Sequence, residues 1–410
     1  MPTNRFYAQK FGTSTPPPLR SWADLQQLPF TTKAELLADQ QQHPPYGSNL
    51  TYPVSCYSRL HQTSGTSTGQ PLRWLDTPTS WEWILDCWRQ HYQRIGLTAQ
   101  DRVFFPFSFG PFLGFWSAFE SAARLGAFVA PGGGMSSLAR LRFILDHGIT
   151  VVFATPTYAL HLADLAAREK IDLANSLVRA LVVAGEPGGS IPATRQRIAS
   201  AWGARVYDHF GLTEVGPVAI EATDRPGSLE ILEKEYLAEV VDTATGEPVG
   251  AGEVGELVLT NLGRLGSPLI RYRTGDWVRL AEGSGATGDR HQRLEGGILG
   301  RVDDMIHIRG NNVYPSAIEG IVRRFAEVVE FRLHVDQSHP LADLRLEIEP
   351  TPGAEATIAD AISRAIRDEL LFRVDVTLVP PGSLPRFEMK ARRVVRIPPR
   401  ATPERISPHQ

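Results

Sequence analysis

Four regions of the chain carry residue types and spacings suited to chemistry. In Thr63-Ser64-Gly65-Thr66-Ser67-Thr68-Gly69-Gln70-Pro71, hydroxyl side chains surround two glycines. Such a loop can wrap a polyphosphate with backbone N–H groups and short donors. No Gly-Lys-Ser/Thr follows, so it is not a Walker loop. Composition alone favours a Ser/Thr/Gly linker. Gly65 to Gly69 also matches G-x-S-x-G, which admits a serine hydrolase built on Ser67. That elbow needs a strand before it and a helix after it, whereas Pro71 and a strand-like Leu72-Arg73-Trp74-Leu75 follow here.

Tyr207-Asp208-His209-Phe210-Gly211-Leu212-Thr213-Glu214 comes directly after an apolar, strand-like segment. An aromatic there can stack on a base, a hydroxyl can touch phosphate, and a carboxylate can hold Mg²⁺. Arg271 to Asp276, then Gly300-Arg301-Val302-Asp303 and Arg309-Gly310, supply a carboxylate suited to ribose hydroxyls and arginines suited to phosphate. Leu384-Pro385-Arg386-Phe387-Glu388-Met389-Lys390 places one of only five lysines near the end of the chain. Taken singly, each of these is a surface turn with solvated charges.

The elements that must position these groups alternate. Helical spacing is expected over Lys33–Gln40, Thr79–Ile95, Trp116–Leu125, Leu138–Asp146, Tyr158–Arg168 and Ala193–Trp202. Short apolar strands lie between the later ones at Val103–Phe105, Phe128–Ala130, Val151–Ala154, Ala180–Val183 and Arg205–Tyr207. That alternation predicts an α/β fold with a parallel sheet covered on both faces. From about 217 to 300, alternating segments between Gly-rich turns suggest an antiparallel β subdomain, with an exposed hairpin loop at 283–297. A compact ββαβαβ-like unit is expected over 301–397, then a Pro-rich, disordered tail at 398–410. The predicted organisation is thus an N-terminal domain over 1–300 and a small α+β C-terminal domain over 301–397.

The 410 residues carry 42 Lys plus Arg against 45 Asp plus Glu, a net charge of −3. This gives no basic stripe for nucleic acid. Cys56 and Cys87 form neither a disulfide framework nor a zinc site. No apolar run approaches the roughly 18 residues of a membrane span, and the opening MPTNRFYAQKFG lacks the layout of a signal peptide. A cytoplasmic protein is the expectation, with a homodimer left open.

In order and spacing, TSGTSTGQP, YDHFGLTE, YRTGD, GRVDDMIHIRGNNVYPSAIE and LPRFEMK resemble the ANL superfamily of adenylate-forming enzymes, nearest to the phenylacetate–coenzyme A ligase family. The likeness runs from about Phe6 to Ile397. It implies a mobile C-terminal domain and two half-reactions at one site. A carboxylate attacks the α-phosphorus of ATP to give an acyl-adenylate and pyrophosphate, then the thiol of coenzyme A attacks the acyl carbon. By resemblance Ser64, Gly65, Thr66, Ser67, Thr68 and Gly69 hold the β- and γ-phosphates and Phe210 stacks on adenine. Thr213 contacts the α-phosphate, Glu214 binds Mg²⁺, and Asp276 holds the ribose with Arg301 beside it. Asp208, Gly211 and the backbone of Gly185-Glu186-Pro187 complete the ATP/AMP-binding set. Asp303 matches the hinge, Lys390 the adenylating lysine, and Gly310 the residue lining the coenzyme A tunnel.

Three departures stand out. Gln70 replaces the family's loop lysine, Phe210 a tyrosine, and Met389 the glycine before the lysine. The stretch from Phe104 to Phe112 falls where the family places its aryl-binding wall. Phe109 and Phe112 are the candidates for the acyl pocket, with His209 and Gly216 bordering it, while most of the other phenylalanines are expected in the core. Bulkier Pro111 and Phe115 suggest an acid other than phenylacetate. The expected substrates are a small carboxylic acid, ATP and coenzyme A. A carrier-protein pantetheine or an amine is the alternative acceptor, and a non-catalytic nucleotide binder the remote one.

Overall fold

The computed structural model describes residues 4–12, 19–63, 70–282, 292–308, 311–336, 343–387 and 390–397. The chain divides into two compact units, Met1–Val302 and Asp303–Gln410.

The first unit opens with α1 (Arg5–Phe11), α2 (Trp22–Gln26) and α3 (Lys33–Gln42). Thr32 starts α3 with a capping box: its hydroxyl accepts from Glu35 N–H, and the Glu35 carboxylate accepts from Thr32 N–H at 2.8 Å. A hairpin follows, β1 (Arg59–Gln62) paired antiparallel with β2 (Arg73–Asp76). Next comes α4 (Pro78–Ile95), capped by Thr77 and closed by Gly96 at φ 65°. It buries Trp81, Ile84, Leu85, Trp88, Tyr92 and Ile95, an apolar stripe at helical spacing.

The alternation continues as β3 (Arg102–Phe105), α5 (Leu113–Arg124), β4 (Phe128–Pro131), α6 (Ser137–Asp146), β5 (Val151–Ala154), α7 (Pro156–Arg168), β6 (Ala180–Ala184), α8 (Pro192–Trp202) and β7 (Arg205–Leu212). These five strands are parallel, in the order β4-β3-β5-β6-β7. Every residue of β5 is buried, as expected of a strand covered on both faces.

β7 runs beyond its expected end at Tyr207, because it turns back at once into β8 (Gly216–Glu221) and keeps a ladder partner through Leu212. β8, β9 (Ser228–Ile231) and, later in the chain, β13 (Arg293–Glu295) extend the same sheet antiparallel. The β subdomain expected over 217–300 therefore divides differently. Only β10 (Tyr236–Val241), β11 (Val254–Asn261), β12 (Tyr272–Arg279) and β14 (Gly300–Arg301) form a sheet of their own. Residue alternation reports one covered face and cannot tell an added edge from a separate sheet.

The second unit contains the pair β15 (Ile306–Ile308) and β16 (Asn311–Val313), then α9 (Pro315–Val322), β17 (Val328–Asp336), β18 (Asp343–Pro350), α10 (Ile358–Leu370), β19 (Asp375–Leu378) and β20 (Val394–Ile397). Its sheet order is β19-β18-β17-β20. α10 buries Ile358, Ile362 and Ile366, four residues apart, on that sheet's core. The order is ββαββαββ rather than ββαβαβ, since β18 pairs with β17 and β20 closes the parallel edge. The expected tail at 398–410 lies outside the described residues. Among them, no helix is long and apolar enough to cross a membrane.

Candidate active site

The carboxyl ends of β6 and β7 lie side by side, and ligands of α/β sheets collect at such ends. Beyond β7 the chain turns through Thr213, Glu214 and Val215 into β8, with Val215 N–H donating to the Leu212 carbonyl at 3.2 Å. Arg264, fully buried, holds this turn. Its Nη1 donates to the carbonyls of Thr213 at 2.7 Å and Glu214 at 2.9 Å, while Nε and Nη2 bind both oxygens of Asp76 at 2.6 Å. Burial pushes the Asp76 carboxyl up, but Arg264 and His61 outweigh it and hold it below the usual range. A buried ion pair gains little net stability. This one fixes the backbone beneath two candidate residues.

Glu214 is buried, and its Oε1 accepts from the Tyr272 hydroxyl at 3.2 Å. Lys33 Nζ, at the first position of α3, lies 3.3 Å from the same oxygen. The N-terminal segment is held in register for this contact: Thr31 N–H donates to the Arg271 carbonyl and Arg273 N–H to the Thr31 carbonyl, each at 2.9 Å. Arg271, expected as a solvated turn charge, is instead buried. It pairs with Glu239 at 2.8 Å and donates to the carbonyls of Gln26 and Leu28. One carboxylate suits Mg²⁺ when most of the ion's oxygens come from phosphates and water. Among the described residues no group of three metal-ligating side chains occurs.

Asp276 is buried on β12 and faces Arg301 on β14 in register, with Arg301 Nη1 donating to Asp276 Oδ1 at 3.1 Å. Gly275, at φ 72°, lets the guanidinium pass, since a Cβ there would stand 2.9 Å from Arg301 Nη2. Asp208 accepts from the Ser190 hydroxyl at 2.5 Å. Burial pushes its carboxyl up to about 7, with the Glu221 charge adding to the shift. Glu186 accepts from Thr157 N–H at 2.9 Å, at the start of α7, so its carboxylate faces that helix while Gly185 and Pro187 flank it at the sheet edge. Phe210 is nine-tenths buried on β7.

Of the aromatic stretch, Phe104, Phe105 and Phe107 are core, whereas Phe109 and Phe112 are half-buried beyond the carboxyl end of β3. Pro111 there accepts from Gln62 N–H at 2.8 Å, joining this loop to the end of β1. Gly216, at φ 117°, makes room for the Tyr236 hydroxyl, which a Cβ would approach to 2.7 Å.

Ser64, Gly65, Thr66, Ser67, Thr68 and Gly69, like Gly310, lie outside the described residues. The loop's setting is nonetheless clear. It joins two antiparallel strands, with Leu72 N–H donating to Thr63 Oγ1 at 3.0 Å at its base. No helix follows, so the context of a nucleophile elbow is absent. Asp303 and Lys390 belong to the second unit. Lys390 is exposed, in a segment held by Glu349, whose oxygens accept from Gly382 N–H at 2.7 Å and Leu384 N–H at 3.1 Å and pair with Arg386. Sequence reasoning missed Lys33, Arg264, Tyr272 and Glu349. The scarcity of lysine was the one signal that could have drawn attention to Lys33.

Residues 63–263 match the AMP-binding enzyme family and residues 310–396 the AMP-binding enzyme C-terminal domain. The chain is 32% identical to the phenylacetate-coenzyme A ligase of Thermus thermophilus, covering 93% of this chain and 88% of that one. It is 31% identical to the Escherichia coli enzyme of the same name, covering 95% and 89%. The chain belongs to the phenylacetate–coenzyme A ligase family. As a member it is an AMP-forming acid–CoA ligase. Among solved structures, 2-hydroxyisobutyryl-CoA ligase with its acyl-AMP superposes with a TM-score of 0.89 at 28% identity, covering 96% of this chain and 86% of that one. The anthranilate CoA ligase AuaEII shares the fold at a TM-score of 0.62 and 22% identity, covering 82% and 65%.

Proposed function

We propose that this ligase activates a small or aryl carboxylic acid with ATP and passes the acyl group to coenzyme A. In the first half-reaction a carboxylate oxygen of the acid bonds to the α-phosphorus of ATP and the bond to pyrophosphate breaks. In the second, the coenzyme A sulfur bonds to the acyl carbon and AMP leaves. The observation that carries this reading is the Thr213–Glu214 turn, locked by Arg264 beside Phe210 at the sheet's carboxyl edge.

Phe210 offers a face to adenine, Asp276 accepts from the ribose hydroxyls, and Thr213 donates to the α-phosphate. Mg²⁺, when bound through Glu214, offsets charge on the phosphates. Lys390 supplies positive charge where it grows in the adenylation transition state. Rotation at Asp303 then exchanges the face that the second unit presents, and Gly310 lines the path of the pantetheine. The division between the units falls at Asp303, which supports that hinge. Incubating the enzyme with ATP, Mg²⁺, coenzyme A and a panel of acids tests the reading by mass analysis of products. Equimolar AMP and acyl-CoA are expected; ADP, or AMP without a thioester, would overturn it.

A further inference from the structure

Arg264 joins three segments that lie far apart in the sequence, and its fully buried guanidinium uses all three of its nitrogens to do so. Nε and Nη2 bind Asp76, the last residue of β2, while Nη1 holds the carbonyls of Thr213 and Glu214. β1 and β2 are the two strands that carry the 64–69 loop. Further ties run to the same hairpin. The guanidinium lies 5.4 Å from the Trp74 ring of β2. His61 of β1, opposite Trp74 in the ladder, faces the Asp76 carboxylate at 3.6 Å. Just beyond Arg264, the Ser267 hydroxyl donates to the Leu75 carbonyl of β2 at 2.9 Å.

An ion pair sealed from water adds little stability over two apolar side chains of the same volume. What an apolar pair cannot supply is direction. The Thr213 and Glu214 carbonyls belong to the peptide planes on either side of the Glu214 Cα. One nitrogen that holds both carbonyls fixes both planes, and so fixes the direction in which the Glu214 side chain leaves the backbone. The other edge of the same planar fork grips Asp76. Lysine, a point charge on a flexible stem, cannot serve both edges at once.

We propose that Arg264 is a positioning residue for adenylation, locking the hairpin that carries the 64–69 loop to the Thr213–Glu214 turn. The groups for the β- and γ-phosphates then keep one register with the groups for the α-phosphate. This rests on the function proposed above. All three phosphates are present only in the first half-reaction, because the acyl-adenylate has already lost two of them. The lock therefore serves the first half-reaction far more than the second.

The test compares ATP–pyrophosphate exchange, thioester formation from added acyl-adenylate, and urea unfolding. The proteins are the wild type, Arg264→Lys, Arg264→Leu, and the double variant Arg264→Leu with Asp76→Leu. The double variant buries no charge at this site, so its urea midpoint should lie above that of Arg264→Leu. Its kcat/KM for ATP in exchange should still fall about 100-fold below wild type, the scale of a misplaced reacting group, and its thioester formation by less than about tenfold. Arg264→Lys keeps a charge opposite Asp76 but loses the fork, and should show the same split in weaker form. Wild-type exchange in the double variant would overturn the inference, because the pair would then only fill space. Equal loss in both half-reactions would overturn it too, as the mark of a merely structural role. If the double variant does not fold, Arg264→Lys decides by the same two outcomes. Absence of exchange in the wild type with every acid would overturn the proposed function together with this inference, whereas the other outcomes leave that function intact.

Discussion

Lys33 Nζ lies 3.3 Å from Glu214 Oε1, joining the start of α3 to the turn that closes the proposed phosphate site. The pair gives Glu214 a cation from the N-terminal segment, and Gln70 stands where the resemblance places a lysine. Gln70 itself is turned toward α3, its Oε1 accepting from Gln41 Nε2 at 2.9 Å. Lys33→Ala should lower kcat/KM for ATP in pyrophosphate exchange by roughly ten- to a hundredfold, the worth of one charged hydrogen bond. Lys33→Arg should retain more activity than Lys33→Ala. Equal rates for wild type and Lys33→Ala would show that the contact carries no function.

Arg264 and Asp76 make a separate prediction about stability. Either single substitution, Arg264→Leu or Asp76→Leu, leaves a buried charge unpaired and should cost about 3–5 kcal/mol in urea unfolding. The double substitution should cost less than the sum of the two. Strict additivity would mean that the two groups do not act as a pair.

Asp208 gives a pH signature. Its carboxyl is raised to about 7 in the folded protein from an ordinary value of 3.8. Between those values the folded state binds more protons than the unfolded one, so this group's contribution to stability falls as pH rises from about 4 to 7. Asp208→Asn removes that titration. Relative to wild type, the variant should gain Tm at pH 8 compared with pH 5. A difference in Tm that is the same at both pH values would refute the shift.

Glu349 holds the Leu384–Arg386 segment that leads to Lys390. If Lys390 acts only in adenylation, Lys390→Ala should abolish exchange while leaving thioester formation from added acyl-adenylate largely intact. Glu349→Ala should show the same split in weaker form. Equal loss in both half-reactions, in either variant, would contradict the division of labour.

Much of this arrangement was legible in the sequence, for identifiable reasons. The parallel strands announce themselves because a strand covered on both faces is a short apolar run, as Val151–Ala154 is. Of Trp83, Leu85, Trp88 and Tyr92, the apolar positions that suggest a helix over Thr79–Ile95, the last three are buried on α4 and Trp83 is half-buried. Phe210, Thr213, Glu214 and Asp276 lie in contiguous motifs, so their candidate roles came with the resemblance that those motifs carry together, not from any one of them. Arg264 and Lys33 could not be found that way. Their partners are 188 residues away for Arg264–Asp76 and on a different element for Lys33–Glu214. Nothing in the local sequence distinguishes such a charge from a solvated one. The β8, β9 and β13 strands were assigned to a separate subdomain because strand periodicity carries no information about which sheet a strand joins.

The central claim is that this chain adenylates a carboxylic acid, and carboxylate-dependent exchange of labelled pyrophosphate into ATP measures that step alone. With coenzyme A omitted, exchange should appear with one chemical class of acid and vanish in Glu214→Ala and Lys390→Ala. Measurable ATP binding without exchange for any aryl, arylacetic, hydroxy or short-chain acid would contradict the account.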